Sequence, residues 1–189
     1  MKKYIIAHGD WYRTLGHERS AVLAESWGLL PCGSLDYDVL ILTGGADVGD
    51  NPTRDETETN FIKDAKSRGK TIFGICRGFQ LMLSLTGVDL VKHIPDVSTQ
   101  IEHRTLTDNW KGQSSWHTNE SGLLVNSRHH QGAFEAPGWE ILDRSPDGLI
   151  EAAYRPNEYG VQWHPEHMEM VGTPALDWLK AELIEKGII

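Results

Sequence analysis

Short apolar runs alternate with helix-like segments along the first half of the chain. Residues 3–7 (KYIIA), 39–43 (VLILT) and 71–75 (TIFGI) are almost continuously apolar. Such runs are typical of strands covered on both faces, as in parallel sheets that have helices on each side. Apolar residues at helical spacing predict helices in the segments after these runs: residues 18–27, 56–68 and 77–85. The alternation predicts an α/β fold with a mainly parallel sheet, whose functional loops lie beyond the carboxyl ends of the strands.

The second half of the chain is less regular. Residues 88–124 are polar and predict no clear element, and four strand-like pieces come next: residues 123–127, 139–143, 149–154 and 159–163. The last helix is better marked, because Thr173 suits the N-cap, Pro174 suits the first helical position and Gly187 ends the pattern. Residues 1–189 contain no internal repeat and no linker-like tract, so we expect one domain.

Composition and charge exclude several classes of protein. The apolar fraction of 39% and the charged fraction of 24% are typical of a globular chain. A net charge of −9 argues against a nucleic-acid binder, whose affinity comes largely from Lys and Arg on phosphates. No apolar run approaches the roughly 18 residues that a membrane span requires, and residues 4–7 are too short for a secretory signal. Cys32 and Cys76 are too few for a disulfide framework, so we expect a reducing, cytoplasmic environment.

Residues 74–78 (GICRG) place a cysteine between a predicted strand and a predicted helix. The pattern is that of a nucleophile elbow with cysteine in place of serine. Cys76 then occupies a strained turn, where crowding between the residues on its two sides favours the glycines found at Gly74 and Gly78. The helix N-terminus favours a thiolate, and the backbone N–H of Arg77 is placed to bind an oxyanion. The alternative is a buried structural cysteine beside a tight turn.

A nucleophilic thiol needs a base, and His164 with Glu166 is the candidate pair. Both residues follow the predicted strand 159–163, and residues two apart in an extended chain point to the same side. Pro165 is expected to keep this segment extended. Glu166 then fixes the tautomer of His164 and supports its charged form. Taken alone, the two side chains are better interpreted as a surface pair, and the cysteine elbow reverses that preference.

Four stretches of the chain carry a resemblance to one family. They are LTGGADV (residues 42–48), GICRGFQLM (74–82), VNSRHHQ (125–131) and GVQWHPE (160–166). The chain resembles the class I glutamine amidotransferase-like superfamily, and within it the γ-glutamyl hydrolase group of the peptidase C26 type that includes γ-glutamyl-γ-aminobutyrate hydrolase. The resemblance implies a flavodoxin-like three-layer sandwich and a triad of Cys76, His164 and Glu166. It also implies hydrolysis of a γ-glutamyl amide through a γ-glutamyl thioester on Cys76.

The same resemblance implies roles for residues outside the triad. The backbone N–H of Gly45 completes an oxyanion hole with that of Arg77, and glycine permits the close approach of backbone to a reacting carbonyl. Gln80 contacts the α-amino-acid end of the γ-glutamyl group. A second stretch contacts the substrate through four residues: Asn126, Ser127, His129 and His130.

The chain departs from the family pattern after the predicted strand 39–43. The family usually has a third glycine at the position of Ala46, and the segment 47–52 (DVGDNP) also differs. The loops near the first strand and after Val48 are shorter than in typical members of the family. They shape the leaving-group side of the site, so the identity of the leaving amine is left open.

Three functions remain: a stand-alone hydrolase of a γ-glutamyl conjugate, a glutaminase subunit that passes ammonia to a separate synthetase chain, and an inactive binding protein. An α/β-hydrolase is disfavoured, because there the acid precedes the histidine in the chain.

Neither a metal nor a cofactor is predicted. His129, His130, His164 and His167 form two clusters, but no zinc-binding helix motif or carboxylate set accompanies them. A glycine-rich phosphate loop is also absent from the sequence. We therefore expect a small-molecule γ-glutamyl substrate or glutamine as ligand. A second copy of the chain or a synthetase is the candidate protein partner.

Overall fold

The apolar runs of the first half become neighbouring strands. The computed structural model describes residues 1–7, 15–94, 115–168 and 174–189. Within these ranges the chain forms the following elements, in order: β1 (Lys3–Ile6), α1 (Leu15–Ser26), β2 (Leu30–Pro31), β3 (Val39–Leu42), α2 (Pro52–Ser67), β4 (Thr71–Ile75), α3 (Arg77–Ser84), β5 (Ser115–Thr118), β6 (Leu124–Ser127), β7 (Glu140–Arg144), β8 (Ile150–Arg155), β9 (Glu158–Val161), a 3-10 turn (Pro165–His167) and α4 (Pro174–Glu185).

Seven of the strands in the described ranges form one sheet, in the order β2-β1-β3-β4-β9-β8-β7. The five strands from β2 to β9 run parallel to their neighbours, whereas β8 and β7 extend the sheet in antiparallel pairing beyond β9. β5 and β6 pair with each other in a separate antiparallel ribbon. The predicted α/β fold with a mainly parallel sheet is therefore confirmed.

Helices cover both faces of this sheet. Val39 and Ile41 of β3 belong to an apolar cluster that also contains residues of α1 and α4. Leu40 and Leu42 point the other way, into a second cluster that contains residues of α2 and α3. Both faces of β3 are thus buried between helices, which explains why its sequence shows no polar alternation. The result is a sandwich of three layers.

Some elements differ from the prediction. α2 begins at Pro52 rather than at residue 56, because the Asn51 side chain accepts a hydrogen bond from the Arg54 N–H at 3.1 Å and Pro52 suits the first turn. The short edge strand β2 was not predicted, and β5 forms inside the stretch that predicted no element. α4 begins at Pro174 as expected, while its predicted N-cap Thr173 lies outside the described residues.

The carboxyl ends of β3, β4 and β9 meet at one edge of the sheet. Leu42 of β3 lies beside Gly74 of β4, and Gly74 lies beside Gly160 of β9. Because this register aligns the three strands, their carboxyl ends open into adjacent loops. These loops carry the predicted site residues: Gly44 and Gly45 after β3, Cys76 after β4, and His164 with Glu166 after β9.

Candidate active site

Cys76 lies at the turn from β4 into α3, with φ of 49° and ψ of −109°. A positive φ is uncommon for a residue with a side chain and costs about 1–3 kcal/mol. Two backbone hydrogen bonds hold the turn. The Cys76 N–H donates to the Val161 carbonyl at 2.7 Å, and the Gln80 N–H donates to the Cys76 carbonyl at 2.9 Å. The cysteine therefore has the backbone geometry of a nucleophile elbow.

The two glycines of the elbow are required by elements that pack against them. A Cβ on Gly78 would overlap the Leu42 carbonyl oxygen of β3, and a Cβ on Gly74 would lie 2.6 Å from the Met82 sulfur and 2.8 Å from the Phe79 nitrogen. The atoms closest to these added Cβ positions belong to β3 and α3, not to the other flanking glycine. The glycines instead let α3 approach the sheet closely.

The imidazole of His164 lies between a thiol and a carboxylate. Its Nδ1 is 2.7 Å from Oε1 of Glu166, and the ring also forms a hydrogen bond with the Cys76 side chain. A carboxylate only accepts, so Nδ1 carries a proton and Nε2 is the nitrogen left for the thiol. All three residues are buried.

Glu166 reaches this imidazole through a tight turn. Pro165–His167 form a 3-10 turn, in which the His167 N–H donates to the His164 carbonyl at 3.1 Å. The prediction that Pro165 keeps the segment extended is wrong. Proline also suits the first position of a helical turn, where its missing N–H leaves no bond unmade. The turn brings the two side chains together at hydrogen-bonding distance all the same.

The charges around His164 favour its protonated form. Burial by itself disfavours an imidazolium, but electrostatic attraction to Glu166 and to the Cys76 sulfur, which both accept hydrogen bonds from the ring, raises the pKa of His164 from 6.5 to about 10. Burial likewise opposes ionisation of Glu166, yet the charge and hydrogen bond of His164 keep the pKa of that carboxyl below its ordinary value. The site therefore favours a protonated imidazole paired with an ionised carboxylate.

Two neighbours fix His164 from outside the triad. The Asn126 side chain accepts from the His164 N–H at 2.9 Å and donates to the His164 carbonyl at 2.8 Å. On another side, a Cβ on Gly44 would lie 2.5 Å from Cε1 of the imidazole. Asn126, a predicted substrate contact, thus uses its buried amide on the backbone of the histidine.

Three other predicted substrate contacts are buried polar residues. Gln80 donates from Nε2 to the Gln131 carbonyl at 2.9 Å and to Oε1 of Gln162 at 3.2 Å. His129 donates from Nδ1 to the same Gln131 carbonyl at 3.1 Å. Ser127 is fully buried in β6. The structure therefore joins Gln80 and His129 through one carbonyl group.

His130 points to the loop that follows β3. Its Nε2 lies 2.8 Å from Oδ2 of Asp47, and its ring lies 5.8 Å from that of His93, measured between centroids. His130 and Asp47 are both partly exposed. The pair connects the predicted substrate-contacting stretch to the loop that begins with Gly44 and Gly45.

The charged residues of α2 that contact Arg77 were not predicted from the sequence. The Arg77 guanidinium forms ion pairs with Glu58 and with Asp55. Glu58 also accepts from Nε of Arg54 at 2.8 Å. The i,i+4 spacing of Arg54 and Glu58 allows an ion pair on a helix, but the predicted helix began after Arg54 and no signal in the sequence placed the pair against Arg77.

His164, Glu166 and His167 are the described residues whose ligand atoms all lie within 4.8 Å of one another. The 2.7 Å separation of His164 Nδ1 and Glu166 Oε1 is that of a hydrogen bond. It is shorter than the separation of two ligands that each stand about 2 Å from a tetrahedral zinc ion. The Arg19 guanidinium also contacts Nδ1 of His167 and adds positive charge. These contacts suit a hydrogen-bonded triad better than a metal centre.

The sequence matches a family model along most of its length. The model of Peptidase C26 matches residues 35–166, more than two thirds of the chain. The chain belongs to the Peptidase C26 family. The matched range of this C26 chain includes Cys76, His164 and Glu166.

Curated relatives of the C26 chain carry two kinds of name. The C26 chain is 35% identical over 136 residues to gamma-glutamyl-gamma-aminobutyrate hydrolase PuuD of Escherichia coli, and the alignment covers 61% of this chain and 54% of that protein. It is also 32% identical over 155 residues to the glutamine amidotransferase-like protein YvdE of Lactococcus lactis, and this alignment covers 68% of this chain and 66% of that protein. The aligned part of the C26 chain thus spans between about half and two thirds of these relatives.

Solved structures similar to the C26 chain have the class I glutamine amidotransferase fold. A glutamine amidotransferase from Thermotoga maritima gives a TM-score of 0.60 at 16% identity, over 100% of this chain and 86% of that one. A chain of PurLQS, also from Thermotoga maritima, gives a TM-score of 0.62 at 19% identity, over 90% of this chain and 92% of that one. The predicted fold family is confirmed.

Among the described residues, no helix is both long and apolar enough to cross a membrane.

Proposed function

We propose that the protein is a cysteine hydrolase that cleaves the amide bond of a γ-glutamyl amine. The observation that carries the proposal is the contact of His164 with both Cys76 and Glu166 at the carboxyl ends of the adjacent strands β4 and β9. A thiol, an imidazole and a carboxylate in this order are the components of nucleophilic acyl transfer. The γ-glutamyl group as substrate is supported by the relative named gamma-glutamyl-gamma-aminobutyrate hydrolase.

The proposed reaction has two acyl-transfer steps. The Cys76 thiolate attacks the δ-carbonyl carbon, and the carbonyl oxygen becomes an oxyanion that accepts hydrogen bonds from the N–H groups of Gly45 and Arg77. The intermediate collapses to a γ-glutamyl thioester while His164 gives its proton to the leaving amine. His164 then takes a proton from the water that attacks the thioester, and collapse of this second intermediate releases glutamate and restores the Cys76 thiolate beside a protonated His164. Glu166 holds the imidazole in the required orientation throughout.

A panel of substrates tests this function. The purified protein is given glutamine and a series of γ-glutamyl amines, and glutamate release is measured for the wild type and for Cys76→Ala. We expect the wild type to turn over at least one γ-glutamyl amine faster than it turns over glutamine. We expect Cys76→Ala to release no glutamate from any of them. Release of glutamate by Cys76→Ala at the wild-type rate would reject the nucleophile.

A glutaminase subunit is the second candidate, favoured by the relative named glutamine amidotransferase-like protein. In this case ammonia from glutamine passes to a synthetase on another chain. Preference for glutamine over every γ-glutamyl amine, with release that accelerates when a second protein is added, would favour this candidate. An inactive binding protein would show neither activity and no covalent adduct of Cys76 with a glutamine-like electrophile.

A further inference from the structure

We propose that an ion network between α2 and the elbow positions both backbone donors of the oxyanion hole. The network consists of Arg54, Asp55 and Glu58 of α2 with Arg77 of α3, and is called here the α2 network. This inference rests on the proposed acyl transfer at Cys76. Its members are positioning residues, because their side chains act on backbone segments that touch the reacting carbonyl.

Glu58 is the centre of the α2 network. Its Oε1 accepts from Nε of Arg54 at 2.8 Å, and its Oε2 accepts from Nη1 of Arg77. The Glu58 side chain is 0% exposed and that of Arg77 is 2% exposed. One buried carboxylate therefore joins two largely buried guanidinium groups, which fixes the spacing between α2 and the first turn of α3.

Arg54 extends the network to the end of β3. Its Nη2 donates to the Gly44 carbonyl at 3.1 Å and to the Thr43 carbonyl at 3.3 Å. Gly45 has a φ of 153°, and a Cβ there would overlap Nη1 of Arg54. The guanidinium thus lies directly against the segment whose N–H is the first proposed oxyanion donor.

Arg77 extends the network to the elbow. Its backbone N–H is the second proposed donor, while its guanidinium contacts Glu58 and Asp55. Asp55 in turn accepts from the Gly49 N–H at 2.8 Å, which ties the loop after Gly45 to the same helix. Both donors therefore depend on contacts with α2, although they follow different strands.

The α2 network depends both on the charges of its members and on the planar shape of its guanidinium groups. Two guanidinium groups face two carboxylates, so no net charge is buried. Lysine in place of either arginine keeps the charge but lacks the planar fork that contacts several acceptors at once. Oxyanion donors act at about 2.7–3.1 Å from the oxygen, and a misplacement of about 1 Å costs about 100-fold in rate. A small shift of Gly45 or Arg77 would therefore reduce acyl transfer strongly.

Two reactions of Cys76 distinguish a misplaced oxyanion hole from a general loss of structure around the thiol. Acylation by p-nitrophenyl acetate forms an oxyanion at a carbonyl, whereas alkylation by iodoacetamide displaces iodide at a saturated carbon and forms none. Both rates are measured in a Cys32→Ser background, because Cys32 is partly exposed and also reacts. The variants are Arg54→Lys and Arg77→Lys. Arg68→Lys, next to the end of α2 and paired with Asp64, is the matched control.

We expect Arg54→Lys to slow acylation by at least about five-fold and to change alkylation by less than about two-fold, with Arg68→Lys at wild-type rates. Arg77→Lys gives the same comparison if Arg54→Lys does not fold. Acylation slowed by less than this amount, or acylation and alkylation slowed together, would overturn the proposal. Because p-nitrophenyl acetate needs no γ-glutamyl recognition, the test is independent of the substrate class. Absence of γ-glutamyl turnover in the wild type would reject the proposed function alone.

Discussion

Glu166→Gln removes one charge from the triad and keeps the shape of the side chain. The buried Glu166 carboxylate lies 2.7 Å from Nδ1 of His164. At an effective dielectric constant of about 20, two unit charges about 4 Å apart attract by about 4 kcal/mol. Because each 1.4 kcal/mol changes a rate about tenfold, we expect kcat/KM to fall about 1000-fold. The glutamine amide oxygen still accepts from Nδ1, so the loss reports charge rather than orientation alone.

The pH dependence of this variant gives a second result. The pKa of His164 is raised to about 10 in the wild type, so its proton is lost only as the pH rises through that value. Without the carboxylate the pKa of His164 falls, so the imidazole of the variant loses its proton at a lower pH than that of the wild type. The deficit in kcat/KM should therefore grow with pH, while Glu185→Gln, an exposed change on α4, follows the wild type. A loss below about tenfold, or one that is the same at every pH, would refute the reasoning.

Three further variants test the structure around the triad. Asn126→Ala removes both hydrogen bonds to the His164 backbone and should lower the free energy of unfolding in urea by about 1–3 kcal/mol and reduce kcat; an unchanged kcat would contradict a positioning role. In Gly160→Ala the new Cβ overlaps the Phe79 ring, so thermal unfolding should show a loss of at least about 1–3 kcal/mol. Burial lowers the pKa of His167 from 6.5 to about 4, so the wild type should lose stability as the pH falls through this range. His167→Gln should lose less between those two pH values, and an equal loss would show that another group titrates.

Local sequence signals predicted the sheet and the turn at Cys76. The continuous apolar runs of β1, β3 and β4 indicated strands buried on both faces, because only such strands lack polar alternation. GICRG marked the elbow, since glycines beside a cysteine at a strand end have a local steric cause. The atoms that approach these two glycines most closely belong to Leu42, Phe79 and Met82, and spacing along the chain did not reveal those neighbours.

Contacts between distant segments were not predictable in the same way. Asn126 was selected by resemblance as a substrate contact, but its bonds to the His164 backbone depend on how β6 meets the loop after β9. Glu58 and Arg77 are 19 positions apart, and their pairing depends on the packing of α2 against α3. The 3-10 turn at Pro165–His167 was missed, since proline is compatible with both an extended segment and the first residue of a helical turn.

The most direct test follows the acyl group on the protein. The wild type and Cys76→Ala are mixed with a γ-glutamyl ester, quenched in acid during turnover and digested, and the two cysteine-containing peptides are weighed by mass spectrometry. We expect a γ-glutamyl thioester on the peptide that contains Cys76, none on the peptide that contains Cys32, and no adduct in the variant. Turnover without an adduct on Cys76, or with an adduct on Cys32 instead, would contradict it.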